Sequence, residues 1–468
     1  MFKKIEVWIL CLVILLGVIS TTMFGALVKQ EVLGANNFLK KNNVGWIGET
    51  ALFIAEIPIN LKTILSRGGG VSLSKKELDA ADNRVEDRSP GLAGFNGVPI
   101  GKDNYLLLSR YDGDSSQGVV ELVDLKNFRI LHSWNPDVDA FNDLVDQIDE
   151  FENLDRDDND HRKMLMHPKL TKDGGLLFGW NSPLRKIDSC SKLVFQNTHN
   201  VFHHSIETDI DGNIWVPGYL YPHTLPIEKV GEDVNSFFDD AIVKMSPDGE
   251  VLYEKSVAQI FIENDLEYLL FSVGATQFNV DPIHLNDIQP VNFDGEFWKK
   301  GDVFLSLGNQ SMIVLYRPSS DRIVWKHAGP FFFQHDVDIL DNHRISIFNN
   351  NTKNTAGGLT VNGHSEVIVY DFKTGKTSLY LNKSLVNENV KTTTQGRSQI
   401  LPNGDLLIEE TNYARTIYFN ADGSVSWSHL NRAKDGNLYR VGWSRILYTE
   451  DDINTVENFL ENRVDCNG

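Results

Sequence analysis

Four segments of this chain open on a histidine. Residues 204–216 read HSIETDIDGNIWV and residues 335–347 read HDVDILDNHRISI. Residues 284–305 read HLNDIQPVNFDGEFWKKGDVFL, the same plan with a longer turn, and residues 167–178 read HPKLTKDGGLLF, one residue shorter. A fifth segment, GRSQILPNGDLLI at 396–408, has Gly396 in the histidine's place, and His203 adjoins His204. With only 13 histidines in 468 residues, their recurrence at one position of a repeat is informative. A cluster of imidazoles can hold a metal, bind an anion when protonated, or act as nucleophile and general acid or base. Metal binding calls for carboxylates that orient the ligands, and Asp287 and Asp336 are available in sequence. Anion chemistry calls for extra donors, and Asn309 and Arg397 fall near the same end of their segments. A histidine that merely closes a turn is the structural alternative for any one position. Three or four at equivalent positions point to a functional ring.

Such a ring requires a fold that brings successive repeats to one axis. From about Leu92 onward, short β-rich runs alternate with Asp-Gly and Asn-Gly turns, and long helical periods are almost absent. The stretches 119–134, 241–257, 312–329, 367–381 and 416–430 each read as strand–turn–strand hairpins, with turn residues that tolerate tight backbone angles. A histidine-led segment plus such a hairpin supplies about four strands, one blade of a β-propeller. The expected fold is all-β: a six-bladed β-propeller over 92–450, with blades starting near Phe95, His167, His204, His284, His335 and Gly396. Residues 135–160 are strongly acidic, and Phe141, Leu144, Val145, Ile148 and Phe151 recur at helical spacing, which predicts an inserted amphipathic helix. The Asp run at 155–160 reads as a solvated loop; it lacks the Gly and terminal Glu of a calcium loop.

The ends of the chain bear on compartment. Residues 7–28 carry no charge, and about 20 apolar residues span a bilayer. Lys3 and Lys4 precede them, so residues 1–30 read as a cytoplasmic tip and an uncleaved transmembrane anchor, with a cleaved signal peptide as the rival. Residues 31–91 read as a juxtamembrane helix (47–66, broken at Pro58) and a polar linker, and 451–468 as a C-terminal tail. Cys190 and Cys466 can pair outside the cytoplasm or remain separate thiols; the sequence leaves both open. The net charge of −20 disfavours nucleic acid as a partner.

The segments HHSIETDIDGNIWV, DPIHLNDIQP, GDVFLSLGNQSMIVLY, FFFQHDVDILDNHRISIFNNN and GRSQILPNGDLLIEETNYARTIYFNADGSVSW, in this order, resemble the bacterial arylsulfotransferase family from about Leu92 to His429. The resemblance implies a six-bladed periplasmic propeller, which the anchor read at residues 1–30 would hold to the inner membrane by a single pass. It implies transfer of a sulfo group from a phenolic sulfate ester to a phenol through a sulfated histidine, with no nucleotide donor, no cofactor and no metal. Carried over by motif, His335 matches the nucleophile, and His204 and His284 match the histidines that support it. His203, His167, Asn309 and Arg397 are the expected substrate-binding neighbours. The chain departs from the family where it reads Leu307-Gly308-Asn309 in place of Ser-Arg-Asn, so Gly308 stands where a sulfate-clamping Arg is usual. Arg397 or Arg110 from a neighbouring blade is the expected substitute. The family's smaller N-terminal β domain also lacks a counterpart. A non-catalytic, membrane-anchored propeller that binds a ligand or partner protein is the second reading, because fold does not fix function. A quinone-dependent dehydrogenase propeller is a weaker third, since its Trp-containing repeats are missing.

Overall fold

Alternating apolar positions between Asp-Gly and Asn-Gly turns fold the chain beyond Gly94 into short antiparallel strands. The computed structural model describes residues 7–32 (side chains at 12–28), residues 47, 50, 51, 54 and 55, and residues 87–466 except 102, 103, 147, 273–277, 464 and 465; Arg156 is described in backbone only. The chain forms two compact units, Met1–Leu78 and Asp79–Gly468. In the first, Val7–Val32 is helical. Among the described residues no helix is long and apolar enough to cross a membrane. The expected juxtamembrane helix and linker lie almost wholly outside the described residues.

The second unit is an all-β, propeller-like arrangement. One sheet runs Arg445–Leu447, Tyr105–Asp112, Gln117–Asp124, Arg129–Trp134. Further sheets run Leu285–Pro290 to Arg322–Ala328, Val337–Ile339 to Lys376–Leu379, and Arg397–Ile400 to Val425–Leu430. Six separate blades are not what the pairing shows. The repeats that begin at His167 and His204 share one eight-stranded sheet. The cause is the ten-residue strand Leu193–Phe202. It pairs along Ser182–Ile187 and then, at Val201 and Phe202, with Tyr219 and Gly218 of the next repeat.

Apolar clusters lie between successive sheets. Leu305 and Val314 pack with Trp215 and Ile242, Phe304 and Ile313 with Ile345 and Ile368, and Phe348 and Val367 with Leu406 and Ile417. Leu407 and Tyr418 then meet Leu106 and Val123, and Leu107 and Val120 meet Leu176 and Phe178, which closes the ring. Chain ends reinforce that closure. Gly94–Gly97 adds an outer strand to Val425–Leu430, while Arg445–Leu447 supplies the inner strand for Tyr105–Asp112.

Two expectations are corrected outside the sheets. The acidic segment is not one helix but three short turns, Val138–Asn142, Asp149–Phe151 and Leu154–Asp157. Leu144 and Ile148 of the expected apolar face are exposed, at 68% and 45%. The segment is held by polar groups that a continuous helix would turn away: Asn142 Nδ2 donates to the Asp158 carbonyl, and Arg185 donates to Asn142 Oδ1 and Asp158. The C-terminal tail is instead a helix, Glu450–Glu461, started by a capping box between Thr449 and Asp452. It buries Val456 and Phe459. Beyond it Cys466 forms a disulfide with Cys190, with Cα atoms 5.3 Å apart and a sequence separation of 276.

Candidate active site

The expected histidines meet. Ring centroids of His204 lie 5.2 Å from His284, 5.9 Å from His335, 5.0 Å from His203 and 6.2 Å from His167. His167, His204 and His284 have φ of 51°, 55° and 55°, a left-handed conformation that is strained for a residue with a Cβ. Each sits where the chain turns into an innermost strand. Phe333, Gln395 and Trp443 adopt the same conformation at the corresponding turns, with φ of 55°, 56° and 62°.

The repeat register differs from the one read in sequence. Innermost strands are stitched by side chains that accept a backbone N–H from the next strand: Ser205 Oγ from Ile288, Asp287 Oδ2 from Val337, and Asp336 Oδ2 from Ser398. By this pattern His335 corresponds to His204 and to Asn286, and His284 sits two residues earlier. A bulge between Leu285 and Asp287 accommodates the slip, and His284 still reaches the cluster from the edge. Asp287 and Asp336 are therefore strand-to-strand acceptors and not orienters of histidine rings.

Each ring has its own electrostatic state. His335 is fully buried, and its Nδ1 lies 2.8 Å from Asn350 Oδ1. Asn350 Nδ2 donates to the carbonyls of Thr392 and Gln395, which fixes the amide and leaves its oxygen for the imidazole. The proton of His335 therefore sits on Nδ1, and the lone pair sits on Nε2, where the Gln395 N–H rests at 3.0 Å. Burial, helped by His284, lowers His335 to about 3 against the opposing effect of Asn350, so the ring is neutral. His284 is the opposite case. Burial works against its charge, but Asp281 Oδ2 at 2.6 Å from Nδ1 prevails and raises it above the ordinary histidine value. His204 is driven well below that value by burial and by the imidazoles around it. Its Nδ1 lies 2.7 Å from His203 Nδ1, and its Nε2 has no partner. His167 is buried against Trp443, with centroids 3.8 Å apart, and is likewise held well below by burial.

The remaining expected residues lie apart from the rings or behind them. Asn309 is exposed, and its amide donates to the Asp281 carbonyl at 2.6 Å, so it steadies the loop that carries the partner of His284. Arg397 is buried near Asp336 and Asp338, at 3.8 and 3.9 Å, under the Trp443 ring. Arg110 is committed to Glu121 through two bonds of 3.0 and 2.7 Å. Arg397 also acts electrostatically on His167, and its Nε and Nη1 are buried without a hydrogen-bond partner. Gly308 has a local reason: a Cβ there would come within 2.5 Å of Asn286 Nδ2, which donates to the Gln334 carbonyl. Asn350, Asp281, Asn286 and Asp240 were not singled out from sequence as partners of the histidines. Their own segments carry no marker of the role, although Asn350 lies in the FNNN run after the His335 segment.

Aromatic rings border the cluster. Phe333 stacks on His284 at 5.4 Å, Trp180 lies 5.0 Å from His204, and Tyr219 stacks on His203 at 4.1 Å. A separate cavity of about 780 Å³, lined by Lys169, Asp209, Asp452 and others, contains none of these histidines. Among the described residues no three His, Cys, Asp or Glu side chains are grouped so as to hold a metal ion.

No curated protein matches the sequence. Solved structures that resemble it include a Bacteroides caccae protein of unknown function, with 12% identity, 72% of this chain and 98% of that chain covered, and a TM-score of 0.44. Virginiamycin B lyase from Staphylococcus aureus gives 10% identity, coverage of 57% and 69%, and a TM-score of 0.32. The WD40 propeller domain of Doa1 gives 11%, 77%, 96% and 0.37. Identities this low carry nothing about activity. The model of the arylsulfotransferase (ASST) family matches residues 167–432, a span that exceeds half of the chain and holds all five clustered histidines, and the chain belongs to that family.

Proposed function

We propose that the protein transfers a sulfo group from a phenolic sulfate ester to a phenolic acceptor through a sulfated His335. The observation that carries this reading is a neutral, oriented imidazole in ring contact with His204 and under the electrostatic influence of a charge-stabilised His284. The His335 Nε2 lone pair attacks sulfur, the sulfur–oxygen bond to the phenol breaks, and the phenolate leaves with the electron pair. In the second half-reaction an acceptor phenol attacks the sulfated ring. His284, protonated beside Asp281, presents its Nε2 side to the charge on the sulfo oxygens. The Gln395 N–H, which rests on Nε2 before reaction, is placed to turn to a sulfo oxygen as the N–S bond forms. Phe333, Trp180 and Tyr219 are suited to the aryl rings.

The six left-handed turns at His167, His204, His284, Phe333, Gln395 and Trp443 support reading the eight-stranded sheet as two fused blades, hence six in all. The uncharged run within Val7–Val32 supports a single-pass anchor with the propeller on the periplasmic side, and the disulfide fits an oxidising compartment. A second reading, a binding propeller without catalysis, is favoured by one observation: Gly308 stands where the family usually carries an arginine.

Mass spectrometry of the full chain after exposure to an aryl sulfate without acceptor separates the two. One added sulfo group, absent in His335→Ala, is the expected result. A folded protein that takes up no sulfo group from any of several donors would overturn the enzyme reading.

A further inference from the structure

Behind His204 lies a chain of buried polar groups that the sulfo-transfer step does not use. His203 Nδ1 is 2.7 Å from His204 Nδ1, and His203 Nε2 is 3.2 Å from Asp240 Oδ1, within ion-pair distance though the two are not aligned as a hydrogen bond and neither atom has another hydrogen-bond partner. Asp240 and His203 side chains are fully buried. Two nitrogens 2.7 Å apart share one proton, so the tautomers of the two rings are locked together. The far end of this chain, His204 Nε2, is buried without a hydrogen-bond partner, and its ring lies 5.2 Å from that of His284 and 5.9 Å from that of His335.

We propose that His203 and Asp240 are positioning residues that make His204 a reversible proton donor for the two half-reactions. The proposal rests on the sulfo-transfer reading and adds to it the source and store of the proton. Before reaction, Asp240 Oδ1–H donates to His203 Nε2, His203 Nδ1–H donates to His204 Nδ1, and His204 Nε2–H faces the pocket. As the first sulfur–oxygen bond breaks, His204 Nε2 gives its proton to the departing phenolate. His204 Nδ1 takes the proton of His203 Nδ1, His203 Nε2 takes that of Asp240, and Asp240 is left as the carboxylate. The net change is one proton moved from Asp240 to the phenol, with no charge left on an imidazole. His204 Nε2 now carries a lone pair. In the second half-reaction it takes the proton of the acceptor phenol, and the three transfers run backward to restore Asp240–H.

The environment suits both states. Burial, reinforced by Asp281, holds Asp240 well above the ordinary carboxylate value, which favours the protonated start. Asp240 Oδ2 accepts the Leu285 N–H at 3.3 Å, a bond that strengthens when the carboxylate forms. The other titratable groups facing the chain are Asp239, Asp281, His284, His167, His335 and Tyr219.

Asp240→Asn keeps the shape and removes the proton store. The test compares sulfation of His335 in the wild-type full chain and in this variant, with 4-nitrophenyl sulfate, whose phenolate leaves readily, and phenyl sulfate, whose phenolate needs a proton. The expected result is a loss of about a hundredfold or more with phenyl sulfate and at most a few-fold with the nitrophenyl ester. Equal losses with both donors, or none, would overturn the relay, since a merely structural role does not distinguish leaving groups. A wild-type chain that takes up no sulfo group from either donor would defeat the sulfo-transfer reading itself. The relay has a second readout without turnover. With ¹⁵N-labelled histidine, His204 should change from the Nε2–H to the Nδ1–H tautomer as pH rises in the wild type and should not change in Asp240→Asn. His204 holding one tautomer in both proteins would overturn the relay whatever the activity.

Discussion

At the scale of single residues, the cluster works by giving the same side chain different charge states. His335 and His284 are neighbours of the same chemistry. An amide oxygen from Asn350 leaves one neutral, and a carboxylate from Asp281 draws a proton to the other. Gly308 shows the same economy of space. An Arg there would restore the family's clamp on paper, but its Cβ would meet Asn286 Nδ2 at 2.5 Å. Gly308→Arg is therefore expected to lower stability by about 1–3 kcal/mol without raising activity. Removing the obstructing amide as well, in Gly308→Arg with Asn286→Gly, should recover part of the loss. Thermal melts of the two variants check this; a single variant as stable as the wild type contradicts it.

At the scale of elements, the C-terminal helix Glu450–Glu461 is a clasp on the first two repeats. Phe459 stacks on Trp134 at 5.9 Å and lies edge-on to His132 at 4.9 Å. It also covers Gly174, where a Cβ would fall 2.2 Å from its ring. Phe459→Ala empties that contact and should cost about 3–5 kcal/mol, read as a shift of the denaturant midpoint. Cys466→Ser removes the covalent tie across 276 residues and is expected to cost about 2–5 kcal/mol. A midpoint unchanged in both variants would mean that the helix is a passive appendage.

At the scale of the whole molecule, burying many imidazoles has a cost in acid. His203, His335 and His429 are each lowered to about 3, chiefly by burial. An unfolded histidine titrates near 6.5, so below that pH the unfolded chain binds more protons than the folded one. Each such group then removes about 1.4 kcal/mol of stability per pH unit, down to its folded value. His284 acts in the other sense, since its raised value stabilises the fold below 6.5 and is lost as pH rises through it. Buried carboxyls such as Asp240, Asp287 and Asp336, raised chiefly by burial, act in the same sense as His284, so the histidine cost is read by difference: the melting temperature of His429→Gln relative to the wild type should rise as pH drops from about 6.5 toward 4. A difference that does not change with pH would show that this ring is not held neutral in the fold.

What the sequence determined alone follows from local chemistry. Asp-Gly and Asn-Gly turns such as Asp211-Gly212 and Asn403-Gly404 are legible because the turn residues themselves carry the backbone preference. The all-β repeat and the histidines that lead its segments were legible for the same reason. The tertiary structure decided matters that depend on residues far apart in the chain. The bulge beside Asn286 moved His284 off the register of His204 and His335, yet the ring still converged. Pairing of Leu193–Phe202 with the next repeat joined two repeats in one sheet, and Asn142, Asp158 and Arg185 broke an apparent helix into turns. Asp240 and His203 are 37 residues apart, and Cys190 and Cys466 are 276 apart. Such contacts are chosen by how blades stack around an axis, where burial and hydrogen-bond satisfaction are settled across repeats rather than within one.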